Sequence, residues 1–121
     1  MEQCTELNAV IVPVSGGGLI GGVFTAIKAV SPNIRIYGAE PAALPRYSAS
    51  LKAGSPIKVE PKKSIADALV AQIPGDICFP YVAAHTDGFA DVSDDYLLKG
   101  WKLLLTEGKL LCEPSSAIGI G

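Results

Sequence analysis

Histidine occurs once in the 121 residues, at His85, and cysteine three times, at Cys4, Cys78 and Cys112. A zinc site built on histidines is excluded, and a Ser-His-Asp triad finds no flanking signature around the single imidazole, which reads as a residue near a helix end. The cysteines are far apart and odd in number, which supplies neither a disulfide framework nor a C-x-x-C pair, so reduced thiols are expected. Concentrated positive charge is also scarce. The net charge is −2 and the densest basic cluster is Lys62-Lys63, so there is no electrostatic footprint for nucleic acid or an anionic membrane. No apolar run approaches the roughly 18 residues of a membrane span, and Met1 to Glu6 has neither the basic nor the apolar region of a signal peptide. A cytoplasmic protein with a small-molecule ligand is expected, with no nucleic-acid or membrane partner.

What the chain does have is glycine at one decisive place. The stretch Val12-Pro-Val-Ser-Gly-Gly-Gly-Leu-Ile-Gly-Gly22 joins an apolar, β-branched run to a segment with Leu19, Ile20, Val23, Phe24, Ile27 and Val30 at helical spacing. Strand, tight turn and helix are expected in that order. Consecutive glycines permit positive φ and let a ligand approach a backbone that carries no Cβ. The helix behind them directs unpaired N–H groups and a partial positive charge into the same space. The product is an anion site, best suited to a phosphate.

The remaining pattern predicts an α/β fold with a mostly parallel sheet flanked by helices in three layers. Residues 1–7 read as the last turn of a helix. Asn8 to Val14 reads as a strand buried on both faces, Leu19 onward as a helix ended by Ser31-Pro32, and Ile34 to Ala39 as a second strand, which completes a parallel βαβ unit. A helix is expected over Ala43 to Ala53, closed by Gly54-Ser55-Pro56. Ser64 to Val70 suggests a short helix within a weakly patterned stretch, Phe79 to His85 one or two helical turns, and Gly88 to Val92 a third strand. Ser93 caps the clearest helix, which runs through Leu97, Leu98, Trp101, Leu104 and Leu105 to Gly108, with Trp101 in the core. A last helix begins near Glu113-Pro-Ser. One domain without linkers covers residues 1–121, and the end at Ile118-Gly-Ile-Gly121 suggests part of a larger one.

By spacing alone, two phosphate ligands remain open. Gly16, Gly18 and Gly21 satisfy the dinucleotide fingerprint G-x-G-x-x-G after a strand, and Glu40 stands about 20 residues on, where a ribose-binding acid belongs. An NAD-type dinucleotide-binding module is therefore one reading. The third contiguous glycine, and Pro41 directly after Glu40, weigh against it.

The glycine stretch, Ile36-Tyr-Gly-Ala-Glu-Pro41, Ser64-Ile-Ala-Asp-Ala-Leu69 and Leu111-Cys-Glu-Pro-Ser-Ser-Ala117 together resemble the serine/threonine dehydratases and serine racemases. These are pyridoxal-phosphate enzymes of the tryptophan synthase β-subunit fold type (fold type II), and the resemblance covers essentially the whole chain. It implies that Ser15, Gly16, Gly17, Gly18 and Leu19 bind the cofactor phosphate through backbone N–H groups. Many relatives begin that loop with glycine. The Ser15 hydroxyl either donates one more hydrogen bond to the phosphate or shapes the turn. Glu113 matches a residue near the cofactor ring, although an acid at a helix start has its own structural reason. Asp67 and Ala68 match a segment that passes the cofactor with a backbone carbonyl nearest to it.

Glu40 matches the first ligand of a divalent-cation site in some of these enzymes, but Arg46 stands where the second carboxylate belongs. No metal is expected, and Glu40 and Arg46 are expected to pair instead. The resemblance also implies an active-site lysine in a Ser-x-Lys context, which none of lysines 28, 52, 58, 62, 63, 99, 102 and 109 matches. The residue that hydrogen-bonds the pyridine nitrogen falls beyond Gly121. The chain is thus expected to be part of the large domain of a serine/threonine dehydratase, or alternatively of a serine racemase. It would hold the cofactor phosphate but no catalytic residue and be inactive alone. Its parent would act on serine or threonine as a homo-oligomer, while the isolated piece is expected to expose strand edges and apolar faces and so to self-associate or be poorly stable.

Overall fold

A computed structural model describes Cys4 and residues 6–121 of the chain. The helical turn expected over residues 1–7 lies largely outside the described residues. The observed order is β1 (Ala9–Pro13), α1 (Gly18–Val30), β2 (Arg35–Pro41), α2 (Arg46–Ala53), α3 (Cys78–His85), β3 (Gly88–Val92), α4 (Asp94–Thr106) and a 3-10 turn at Pro114–Ala117. The strands form one parallel sheet in the order β1-β2-β3, with Val12 opposite Gly38 and Gly38 opposite Phe89. Gly38 has to be glycine in this register, because a Cβ there would overlap the Phe89 ring.

Side-chain alternation along β2 divides the core in two. Ile36 points to a cluster with Val12, Val14, Ile20, Tyr47, Phe79 and Val82, which seats α1, α2 and α3 on one face. Ala39 points the other way, to Ala66, Leu69, Leu97, Ala117 and Ile118, under α4 and the 3-10 turn. Each fully buried large side chain, such as Ile20, contributes about 1.5–3 kcal/mol. The three layers are those that the sequence predicts. Trp101 packs against the second cluster, and its indole N–H donates to the Cys112 carbonyl at 2.7 Å.

Four expectations change in detail. β1 is not buried on both faces: Ile11 is 51% exposed, since on its side the strand faces an open cavity beside Ile118 and Gly119. α2 starts at Arg46 rather than Ala43, because Pro45 has no N–H and a turn from Pro41 to Leu44 precedes it, with Leu44 N–H on the Pro41 carbonyl at 2.8 Å. Ser64 to Val70 forms no helix. The Asp94 carboxylate takes the Ser64 hydroxyl at 2.6 Å and the Ile65 N–H at 3.1 Å, which leaves a single turn from Ala66 to Leu69. The last helix is only the 3-10 turn. Elsewhere, Gly54 closes α2 with φ 72° and the Ser93 hydroxyl accepts the Tyr96 N–H at 3.5 Å as the cap of α4. His85 ends α3, stacked on Phe24 and edge-on to Tyr81.

Candidate functional site

The glycine turn leaves β1 at Val14, whose N–H is still held by Ala39 of β2 at 2.8 Å. Gly17 then adopts φ 106°, a left-handed conformation that a side chain disfavours, and α1 begins at Gly18. The carbonyl oxygens of the turn are all taken by protein donors. Arg46 Nη1 donates to Val14 at 2.7 Å and to Ser15 at 3.2 Å, while Gly16 accepts from the Gly75 N–H at 2.9 Å and the Tyr47 hydroxyl at 3.0 Å. Gly17 accepts from Gly21 N–H at 3.0 Å. The amides behave in the opposite way: among the described residues no protein acceptor takes the N–H of Ser15, Gly16, Gly17, Gly18 or Leu19.

These residues line a cavity of about 310 Å³, closed on its other sides by Ala68, Leu69, Glu113, Ser115 and Ser116. All six cofactor-binding candidates from the sequence, Ser15 to Leu19 and Glu113, therefore meet around one space. A Cβ added at Gly16 or Gly18 would find no atom within 4 Å, whereas one at Gly17 would overlap the Tyr47 hydroxyl. Ser15 Oγ accepts the Ala71 N–H at 3.2 Å, so the hydroxyl shapes the turn and still keeps its proton to donate. Ser115 Oγ accepts the Ala68 N–H at 3.0 Å and steadies the facing wall. Glu113 precedes the 3-10 turn, but among the described residues its carboxylate caps no backbone group and accepts only a long contact from the Ser116 hydroxyl, at 3.5 Å.

Glu40 and Arg46 are both fully buried, yet no salt bridge joins them. The Glu40 carboxylate accepts the N–H groups of Tyr47 at 2.9 Å and Ser48 at 2.7 Å, capping α2 from the end of β2. Arg46 gives its Nη protons to carbonyls, and its Nε has no partner among the described residues. The expected pairing is corrected accordingly: the two groups feel each other's charge but bond elsewhere, because the helix end and the turn offer each a nearer partner. Desolvation raises the Glu40 pKa, against the lowering effect of those amides and of Arg46. Desolvation likewise lowers the Arg46 pKa, and the Glu40 charge raises it in part. The Tyr47 phenol, pushed up to about 12 by burial, stays a donor to Gly16. Glu40 is thus enclosed and spent on α2, not presented to a ribose. Among the described residues no cluster of three His, Cys, Asp or Glu side chains forms.

The family of pyridoxal-phosphate-dependent enzymes matches residues 1–121. The chain belongs to this family. Its relatives there include L-threonine ammonia-lyase of Thermotoga maritima, 34% identical over 120 residues that make up 99% of this chain and 30% of that protein. Serine racemase of Oryza sativa subsp. indica is 39% identical over 120 residues, 99% of this chain and 35% of that protein. Among solved structures, maize serine racemase superposes with a TM-score of 0.92 at 40% identity, over 98% of this chain and 37% of that one. The chain spans about a third of the length of the curated relatives it matches. As a pyridoxal-phosphate family member it has no support for the dinucleotide reading. The cavity fits the group this family uses: a row of free N–H donors at a helix mouth suits a phosphate, and the open space above Gly16 and Gly18 admits it.

Proposed function

We propose that Ser15, Gly16, Gly17, Gly18 and Leu19 cradle the phosphate of pyridoxal phosphate. We propose further that the chain serves as the phosphate-binding part of a serine/threonine ammonia-lyase. The observation that carries this reading is the sorting of the turn into engaged carbonyls and free amides beside the cavity. Glu113 stands at the rim, where its carboxylate can orient the remainder of the cofactor. When bound, the cofactor supplies an electron sink that lets the substrate's α-proton leave. The chain's own part is to hold the phosphate, keep the Ser15 hydroxyl proton available to it and fix the facing wall at Ala68 and Leu69. Among the described residues no lysine lines the cavity, so the 121-residue chain provides the cradle without a covalent anchor. The Glu40 oxygens are taken by amides and a guanidinium charge stands in place of a second carboxylate, which speaks against a cation between Glu40 and Arg46.

Titration of the purified chain with pyridoxal phosphate should give saturable binding that inorganic phosphate competes away, whereas NAD should neither bind nor compete. Failure of pyridoxal phosphate to bind would sink the reading. The chain by itself should release no pyruvate from L-serine. In the polypeptide that carries it, release of a 2-oxo acid and ammonia is expected, while accumulation of D-serine would assign the racemase alternative. Exposed Leu98, Leu103, Leu110 and Leu111 favour a homo-oligomer, and the dispersed thiols suit a cytoplasmic setting.

A further inference from the structure

Helix α2 lines no part of the cavity, yet its first two side chains reach through to the turn that does. Arg46 Nη1 holds the carbonyls of Val14 and Ser15, and Tyr47 Oη holds that of Gly16. The second guanidinium nitrogen, Nη2, donates to the Leu69 carbonyl at 2.7 Å. Val14 and Ser15 line one side of the cavity and Leu69 the other, so a single planar group ties the two walls together.

In a trans peptide the C=O of one residue and the N–H of the next point in opposite directions within one rigid plane. Drawing the Val14 oxygen back toward Arg46 therefore turns the Ser15 N–H forward, and holding the Ser15 oxygen does the same for the Gly16 N–H. Tyr47 and Gly75 repeat the effect on the Gly17 N–H through the Gly16 oxygen. Burial of a whole guanidinium with its Nε unpartnered is an expensive way to satisfy three carbonyls, and a well-packed apolar side chain is commonly as stable or more so. What an apolar residue cannot do is fork between two walls.

We propose that Arg46 is a positioning residue for the anion site: it fixes the gap between the glycine turn and the Leu69 wall and aims the Ser15 and Gly16 amides into the cavity. This rests on the phosphate reading above. Glu40 extends the device, since it holds the N-terminus of α2 from which Arg46 and Tyr47 project.

The test uses the polypeptide that carries this chain, with Arg46→Met, Arg46→Lys and Tyr47→Phe variants checked for folding by circular dichroism. Each is titrated with pyridoxal phosphate, inorganic phosphate and pyridoxal, which lacks the phosphate. Arg46→Met should weaken both phosphate-bearing ligands by about tenfold or more, as expected for a lost charged hydrogen bond, and leave pyridoxal affinity unchanged. Arg46→Lys, able to reach one wall only, should fall between it and the wild type. Tyr47→Phe should show the same selectivity with a smaller loss. Should Arg46→Met not fold, Arg46→Lys and Tyr47→Phe decide by the same criterion. Folded variants that keep wild-type affinity for phosphate, or that lose pyridoxal equally, overturn the proposal while leaving the phosphate reading standing. A wild type that binds neither pyridoxal phosphate nor phosphate overturns both.

Discussion

The Tyr47 hydroxyl occupies the space where a Cβ on Gly17 would stand, and from there it donates to the carbonyl of Gly16. The relationship makes glycine obligatory at the centre of the turn on two counts, since φ at Gly17 is also 106°. Gly17→Ala should cost on the order of 2–4 kcal/mol from backbone strain and overlap together, and should weaken phosphate binding by displacing the phenol and re-aiming the turn that carries the amides. Denaturant melts and pyridoxal phosphate titration check both effects. Gly16→Ala, with open space before it, is expected to fold normally and to fail only in binding.

Glu40 sets a pH dependence with a definite sign. Desolvation raises its pKa in the folded state above the ordinary 4.5, so the folded form holds the proton more tightly than the unfolded chain does. Its contribution to stability is full below that ordinary value and is lost as the pH climbs through the raised folded pKa. Glu40→Gln removes this titration. Unfolding free energies measured from pH 4 to pH 8 should therefore show the wild type's advantage over the variant largest at the acid end and then shrinking to a plateau. A difference that grows with pH would contradict the assignment.

Ser15→Ala leaves the Ala71 N–H without its acceptor and should destabilise by about 1–2 kcal/mol. Affinity for pyridoxal phosphate should also fall, because the same hydroxyl carries a proton available to the ligand. A variant with unchanged melting temperature and unchanged binding would show that the hydroxyl does neither.

The single tryptophan ties α4 to the segment that presents Glu113, through its bond to the Cys112 carbonyl. Trp101→Phe should cost about 1–3 kcal/mol and loosen that wall of the cavity, so cofactor affinity should fall along with stability. In the wild-type chain, indole fluorescence should shift on cofactor binding. Its indifference would separate α4 from the site.

The parts of the molecule written in local signals were legible in advance. The βαβ unit announces itself by periodicity and by the glycines between its parts, and α4 by a serine cap and a closing glycine. The six cofactor-binding candidates meet around one cavity because five are consecutive and the sixth follows a recognisable Glu-Pro-Ser segment. Arg46 was different. Its partners lie 23 to 32 residues away, and nothing in Pro45-Arg46-Tyr47 announces that the side chain will cross to another loop. The stretch from Ser64 to Val70 resisted for the same reason, since Asp94 and Ser115, distant in sequence, decide its path. Glu40, at the spacing of a ribose acid, turned out to serve a helix end that could not be located without knowing where Pro45 would place it.

With each oxygen from Val14 to Gly17 already fastened, no peptide of the bend can swing round unless a bond at its back gives way first. The bend is accordingly preorganised: arrival or departure of an anion asks little rearrangement of the main chain, and the energy gained on capture is not drained by ordering a floppy loop. Cofactor exchange should then be governed by shedding of water and escape from the pocket, with the protein's outline nearly the same in both states.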